Sequence, residues 1–285
     1  MAVLRRRLDV EMVRRGLVES RQAAQRHIEA GDVVVSGAVA QKPGRLVASG
    51  EPVSITAPAQ QYVSRGGTKL EAALTAFDLD VEGCRAIDVG ASTGGFTDCL
   101  LQRGAQSVVA LDVGRGQIHE RLRADPRVRV VERCNIRDLA PERCSDEDRR
   151  RIAGEPTTLL VADLSFISLR TAAQGLIALV RQGGSLVVLI KPQFEAGRSV
   201  VAKGAGIVSS PDVWQTTLLE VVDHFSNLDC SLTGLIPSPI HGTHGNVEFL
   251  AHLTRGNSVG DRSSLTRQVN EAVLAASEMA GVAWQ

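Results

Sequence analysis

The sequence predicts an α/β protein, a doubly wound parallel sheet preceded by a small α+β domain. Three observations carry this. The apolar stretch Ala86-Ile87-Asp88-Val89 runs into Gly90-Ala91-Ser92-Thr93-Gly94-Gly95, and a new apolar run begins at Phe96, which is the pattern of a strand, a tight turn and a helix. Apolar strands and amphipathic helices then alternate up to Ile190, as crossover-connected parallel strands require. The first 57 or so residues differ, with two short helical patterns followed by a hairpin signal.

In the small domain, Leu8 to Arg15 reads as a helix with Asp9 as N-cap, Leu8 and Val13 as a hydrophobic staple, and Gly16 as the stop. Ser20 caps a second helix over residues 21–30, which Gly31 terminates. Val33-Val34-Val35, the turn Ser36-Gly37 and Val39 predict a hairpin, with a further strand at Val53-Ser54-Ile55. Ala57-Pro58-Ala59-Gln60-Gln61 reads as a linker.

A helix with Leu70, Ala73, Leu74 and Phe77 on one face opens the larger domain. It puts Lys69 in the first turn, where the helix dipole disfavours a cation, so local physics gives no reason for it. Strands follow at residues 86–89, 108–111, 128–131, 159–162 and 186–190, with a charged loop or short helix at 141–157 and helices at 169–180 and 211–225. Gly197, Gly204 and Gly206 mark a loop with the character of a lid. A strand near 232–236 and a weakly amphipathic helix after Arg255 complete the chain.

Asp88, Asp112, Asp138, Asp163 and Lys191 all fall near the carboxyl ends of strands, the edge where open α/β sheets bind ligands. One such acid is commonly only a helix cap; five charged residues on one edge point to a site. Asp112 lies 24 residues after Asp88, at the distance of a ribose-binding acid. The turn is not the dinucleotide fingerprint, because Gly90 is followed by three non-glycine residues before Gly94-Gly95. An acid at Asp88 is unfriendly to a pyrophosphate and friendly to an ammonium group, as S-adenosylmethionine carries.

Formal net charge is zero, so any nucleic-acid signal must be local. One exists: residues 1–27 hold Arg5, Arg6, Arg7, Arg14, Arg15, Arg21 and Arg26 against Asp9, Glu11 and Glu19. Clustered arginines can hold phosphates bidentately, although many charge runs are simply solvated faces. Five scattered cysteines without a C-x-x-C pair read as reduced thiols in a cytoplasmic protein. No apolar run reaches membrane-spanning length, so stable membrane insertion is not expected. His241 and His244 with Glu248 lie on a glycine-flanked loop without the helical zinc spacing, and no metal is expected.

Residues 4–56, through Arg21-Gln22-Ala23-Ala24 and Ala30-Gly31-Asp32-Val33-Val34-Val35-Ser36-Gly37, resemble the S-four RNA-binding domain, named after a small-subunit ribosomal protein. Residues 1 to about 250 resemble the TlyA family, historically called haemolysins, whose catalytic part is similar to FtsJ-like methyltransferases. The segments that carry this are Val63-Ser64-Arg65-Gly66-Gly67-Thr68-Lys69-Leu70, Asp88 to Asp98, Val161 to Ser168, Lys191-Pro192-Gln193-Phe194-Glu195 and Gly245-Asn246-Val247-Glu248. The resemblance implies a Rossmann-like class I methyltransferase sheet and 2′-O-methylation of ribosomal RNA with S-adenosylmethionine. It implies a Lys69, Asp163, Lys191 and Glu248 tetrad, with Lys191 tied to Asp163 and Glu248. It also implies a donor site of Asp88, Gly90, Ser92 and Gly94 about the methionine end, with Ala91, Gly95 and Phe96 in the same turn, Asp112 at the ribose and Asp138 near the adenine. RNA contact is implied for Arg5, Arg6, Arg7, Arg21, Arg26 and Arg65. The expected organisation is an RNA-binding domain over 1–57, a linker at 58–64, a methyltransferase domain over 65–253 and an extension at 254–285, in a monomer that acts on ribosomal subunits. A nicotinamide oxidoreductase is disfavoured by the glycine spacing. The alternative kept open is an RNA-binding assembly protein, or a haemolysin-like protein, with a vestigial methyltransferase domain.

Overall fold

The computed structural model describes residues 5–18, 20–29, 31–56, 61–197, 201–202, 204, 206–242, 245–256 and 262–284, with the backbone alone at Arg26. The chain divides into two compact units, Met1–Gln60 and Gln61–Gln285. Most of the expected linker, 57–60, and part of the expected lid, 198–200, 203 and 205, lie outside the described residues.

The first unit holds β1 (Arg5–Arg7), α1 (Leu8–Arg14), α2 (Arg21–Glu29), β2 (Val33–Val35), β3 (Ala38–Val39), β4 (Leu46–Ala48) and β5 (Val53–Ile55). β2 pairs antiparallel with β3 and β5, and β1 with β4. Ser36 and Gly37 have φ of +52° and +84°, the pair of left-handed residues that a two-residue hairpin turn requires. Leu8, Met12, Ala24, Ile28, Val33, Val35, Ala40 and Val47 fill its core. Asp9 does not cap α1. Arg7 holds that position without a side-chain bond, Asp9 lies inside the first turn, and Leu8 packs with Met12 in the core. Ser20 does cap α2, accepting from Ala23 N at 3.2 Å.

The second unit is built on a seven-stranded sheet in the order β11-β12-β10-β9-β6-β7-β8. Its strands are β6 (Arg85–Val89), β7 (Ser107–Leu111), β8 (Val128–Val131), β9 (Thr157–Ala162), β10 (Val180–Ile190), β11 (Cys230–Pro237) and β12 (Phe249–Arg255). The first five pair in parallel, and β12 runs antiparallel between β10 and β11. Successive strand residues face opposite sides. Leu160, Val188 and Phe249 enter one core, whereas Val161, Leu189 and Leu250 enter the other. Both faces are therefore covered, which is why these strands read as unbroken apolar runs.

The helices are α3 (Gly66–Ala76), α4 (Gly95–Gln102), α5 (Glu120–Arg123), α6 (Asp146–Ala153), α7 (Leu169–Ala178), α8 (Pro192–Glu195), α9 (Pro211–Ser226) and α10 (Arg262–Ala280). Three expectations change here. Tyr62 is 4% exposed and packs with Leu70, so residues 61–64 belong to this unit and not to a linker. A boundary at 253 would cut β12 in two. Residues 262–280 are no appendage either, because Leu265, Val269, Ala272, Val273 and Ala276 form a helical stripe inside the larger core. The strand connections run outward from β6 towards β7 on one side and from β9 towards β10 on the other, so a crevice opens above the carboxyl ends of β6 and β9.

Candidate active site

The turn after β6 is shaped by close approach. Gly90 has φ +82°, and a Cβ there would stand 2.5 Å from the backbone oxygen of Asp163. Ser92, at φ +48°, donates its N–H to Asp112 Oδ2 at 2.7 Å, and Gly114 N donates to Oδ1 at 2.6 Å. Asp112 thus staples the glycine turn to the end of β7. Between them opens a cavity of about 510 Å³, with Gly90, Asp112, Val113, Asn135, Ser165 and Phe166 among its walls. A second cavity of about 200 Å³ is lined by Ser64, Arg65, Lys69, Phe96, His241 and Gly242. Gly90, Ser92 and Asp163 line both.

Two ion pairs sit here, one through Lys69 of the smaller cavity and one through Asp163 of the shared wall. Lys69 is 7% exposed and Glu248 2%, and Lys69 Nζ bonds Glu248 Oε2. That pairing supplies the reason for a lysine in the first turn of α3. Lys191, the residue after β10, is 8% exposed, lies 2.6 Å from Asp163 Oδ1 and donates to Ser165 Oγ at 2.8 Å. Its expected tie to Glu248 is not present, because that carboxylate belongs to Lys69, with Gln193 Nε2 at 3.5 Å from its other oxygen. An ammonium this covered survives only beside a carboxylate, and here each has one.

Two of the acids expected at the donor site do not line the larger cavity. Asp88 is fully buried under the turn, with Oδ2 accepting from Thr97 Oγ1 at 2.6 Å and Oδ1 without a partner among the described residues. Burial pushes its carboxyl up to about 7, against the pull of the Thr97 hydroxyl. Asp138 points to solvent and pairs with Arg143 at 3.6 Å, while Asn135, Ile136 and Arg137 of the same segment line the larger cavity. Gly94 caps α4 at φ +98°, Ala91 and Phe96 are buried, and Gly95 approaches Gly67 N so closely that a Cβ would stand 2.9 Å from it. Ala91, Gly95 and Phe96 line the smaller cavity.

Residues 62–255 match the FtsJ-like methyltransferase family, and residues 6–53 match the S4 domain. The Mycobacterium tuberculosis 16S/23S rRNA (cytidine-2′-O)-methyltransferase TlyA is 42% identical over 270 residues, 94% of this chain and 96% of the relative. The chain belongs to the TlyA family of FtsJ-like methyltransferases. Hemolysin A of Brachyspira hyodysenteriae is 38% identical over 86% of this chain and 98% of the relative. A solved Streptococcus thermophilus structure, described as a candidate hemolysin, superposes with TM-score 0.72 at 39% identity, covering 98% of this chain and 100% of that one. Among the described residues, no helix is long and apolar enough to cross a membrane.

The sequence reading overlooked Phe166 and Ser165. Phe166 is 92% exposed at φ +65°, its ring centroid 5.4 Å from that of Phe194, and Lys191 Nζ lies 5.8 Å from the Phe194 ring. An aromatic three residues past a strand-end acid, in a chain only 3% aromatic, was the signal available. Arg65 is exposed and donates to His241 O at 2.7 Å, joining α3's start to the segment before Glu248. His244 lies outside the described residues. In the first unit Arg5 is exposed, Arg6 approaches Glu11 at 4.0 Å, and Arg7 and Arg21 both bond Asp9; the Arg26 side chain lies outside the description.

Proposed function

We propose that this protein is an S-adenosylmethionine-dependent methyltransferase that modifies the 2′-hydroxyl of a cytidine ribose in ribosomal RNA. The observation that carries this reading is the pair of covered lysine–carboxylate contacts, Lys191–Asp163 with Asp163 on the wall common to two cavities and Lys69–Glu248 with Lys69 on the smaller one. A cavity of about 510 Å³ suits a nucleoside-sized ligand. Asp112 keeps lone pairs for ribose hydroxyls after its two loop contacts, and Val113 and Ile136 offer apolar surface to a base. Bound there, the donor supplies an electrophilic sulfonium methyl.

The chain's own groups handle the acceptor. Lys191 Nζ passes one proton to the Asp163 carboxylate, then takes the proton of the reacting hydroxyl as the methyl transfers, while Asp163 and Ser165 fix where that nitrogen stands and the proton on Asp163 leaves to solvent. Lys69, held by Glu248, closes the opposite side, and much of the rate comes from alignment. Phe166 presents an open face on which an unpaired nucleobase stacks. The first unit captures the RNA through Arg5, Arg6, Arg7, Arg21 and Arg26, with Arg65 near the acceptor, and the protein works in the cytoplasm on ribosomal subunits.

The test is to map ribose methylation on ribosomal RNA from cells with and without the gene, complemented by wild type, Lys191→Ala or Lys191→Arg. A cytidine 2′-O-methyl should vanish without the gene and return only with wild type, since arginine keeps the charge but gives up no proton. Unchanged methylation in the absence of the gene, or its return with a folded Lys191→Ala protein, overturns the reading.

A further inference from the structure

Asp9 and Glu11 are both 0% exposed in a unit of some sixty residues, yet neither lies in its apolar core. Arginines cover them. Asp9 Oδ1 accepts from Arg7 Nε at 3.1 Å and from its neighbour Val10 N at 3.0 Å. Its Oδ2 accepts from Arg7 Nη2 at 3.0 Å, Arg21 Nη2 at 3.0 Å and Gln25 Nε2 at 3.3 Å. The Arg7 guanidinium beside it, ahead of Arg21 and Gln25, holds this carboxyl far below the usual carboxylate range. Glu11 carries Arg14 as a two-bond fork and Arg15 through Nε, but Arg15 is consumed structurally, donating to the carbonyls of Ala48, Ser49 and Glu51.

The two clusters therefore differ. Arg15 is 19% exposed and ties α1 to the turn after β4, whereas Arg7 and Arg21 remain 50% and 58% exposed. Among the described residues, Arg7 Nη1 and Arg21 Nη1 have no recorded acceptor. Asp9 receives five donors yet joins no strand and caps no helix by its own position. Through Arg21 and Gln25 this covered carboxylate ties α1 to α2, but that tie does not require Arg7, which spends two of its N–H groups on it while half-exposed. The carboxylate is a good device for freezing two guanidinium planes in advance. Each long side chain then surrenders little rotamer freedom when a phosphate arrives.

We propose that Asp9 is a positioning residue for RNA capture, locking Arg7 and Arg21 into a paired fork whose outer N–H groups take backbone phosphates. The proposal rests on the RNA-binding reading above and refines it. It makes a prediction opposite in sign to simple charge counting. Asp9→Asn adds one positive charge, and a merely basic surface would then bind RNA more tightly with a steeper salt dependence. With the forks released, affinity falls instead, by about tenfold, the loss expected of one charge-assisted contact.

The experiment is filter binding of purified 16S and 23S ribosomal RNA across a salt series by full-length wild type, Asp9→Asn, Arg7→Lys and Arg21→Lys. Thermal melting and donor titration run alongside. Asp9→Asn should bind more weakly with a shallower salt slope and take up the donor as wild type does. The lysine variants keep the charge and lose the fork, and should lose a similar factor; they decide the matter if Asp9→Asn does not fold. Equal or tighter RNA binding by a folded Asp9→Asn protein, or wild-type affinity in both lysine variants, overturns the proposal. A wild-type protein without salt-dependent RNA affinity would bring down the docking role of this unit as a whole.

Discussion

Gly90→Ala is the perturbation whose size can be worked out most directly. The residue carries φ +82°, and the added Cβ would meet the Asp163 carbonyl oxygen at 2.5 Å and its carbon at 3.1 Å. The left-handed backbone alone costs an alanine about 1–2 kcal/mol. The clash is with main chain that is itself fixed by Asp163 N donating to Val89 O at 3.1 Å, so it cannot be relieved by a rotamer change. Overpacking of that kind costs about 1–3 kcal/mol. Together these give about 2–5 kcal/mol, and a unit of this size loses about 2–4 °C of melting temperature per kcal/mol. Gly116 is the matched control, with φ +67° and nothing within 4 Å of an added Cβ, so Gly116→Ala carries the backbone cost alone. Scanning calorimetry of the two variants isolates the packing contribution, and titration with S-adenosylmethionine shows whether the displaced turn still accepts it. Gly90→Ala should melt well below Gly116→Ala and bind the donor poorly. If the two melt together, the close packing of the turn against Asp163 is not what makes this glycine necessary.

Two further outcomes follow from burial. The Asp88 carboxyl, raised from 3.8 to about 7, keeps its proton in the folded state while the unfolded chain releases it. Its effect is therefore absent below about pH 4; stability falls as pH rises from there to about 7 and stays reduced above, by up to about 4 kcal/mol. Asp88→Asn should flatten that part of the melting profile, and parallel profiles for variant and wild type would refute the argument. Val273→Asp puts an unpaired charge at a position 0% exposed under the sheet and should prevent folding of the larger unit; a variant that melts near wild type would show that α10 is dispensable.

Patterns with a local cause were legible in the sequence. The Ser36-Gly37 turn, the Ser20 cap and the five parallel strands each follow from residues within a few positions, and the structure has all of them. The four tetrad residues could be named only through family resemblance, and even then their pairing could not, because Lys69 and Lys191 each had two carboxylates to choose from. Three-dimensional register decides that Glu248 reaches Lys69. The placing of Asp138 was hidden for a related reason: within the turn Ile136–Leu139 a one-residue rotation trades a cavity-facing side chain for a solvent-facing one, and Asn135, Ile136 and Arg137 line the cavity. β1 was invisible because three arginines lack strand character, and β12 because its residues lie beside a glycine-rich loop. The C-terminal helix has only a weak stripe, and its burial is set by the sheet face it covers.

Lys69 and Glu248 are separated by 179 residues, and β12 has to insert between β10 and β11 for the two to meet. At about 5–20 residues per second, synthesis leaves roughly 9–36 s between them. Throughout that interval the Lys69 ammonium lacks this counter-charge, and for the last 58 residues of it, about 3–12 s, the open side of β10 is a bare edge of the kind that invites wrong pairing. The first unit has a much shorter delay: all its strands and both helices lie within residues 5–55, and Arg5 with Ala48 is its most widely separated strand pair. A growing chain thus completes its arginine-rich first unit well before residues 248–255 are made and Glu248 can meet Lys69.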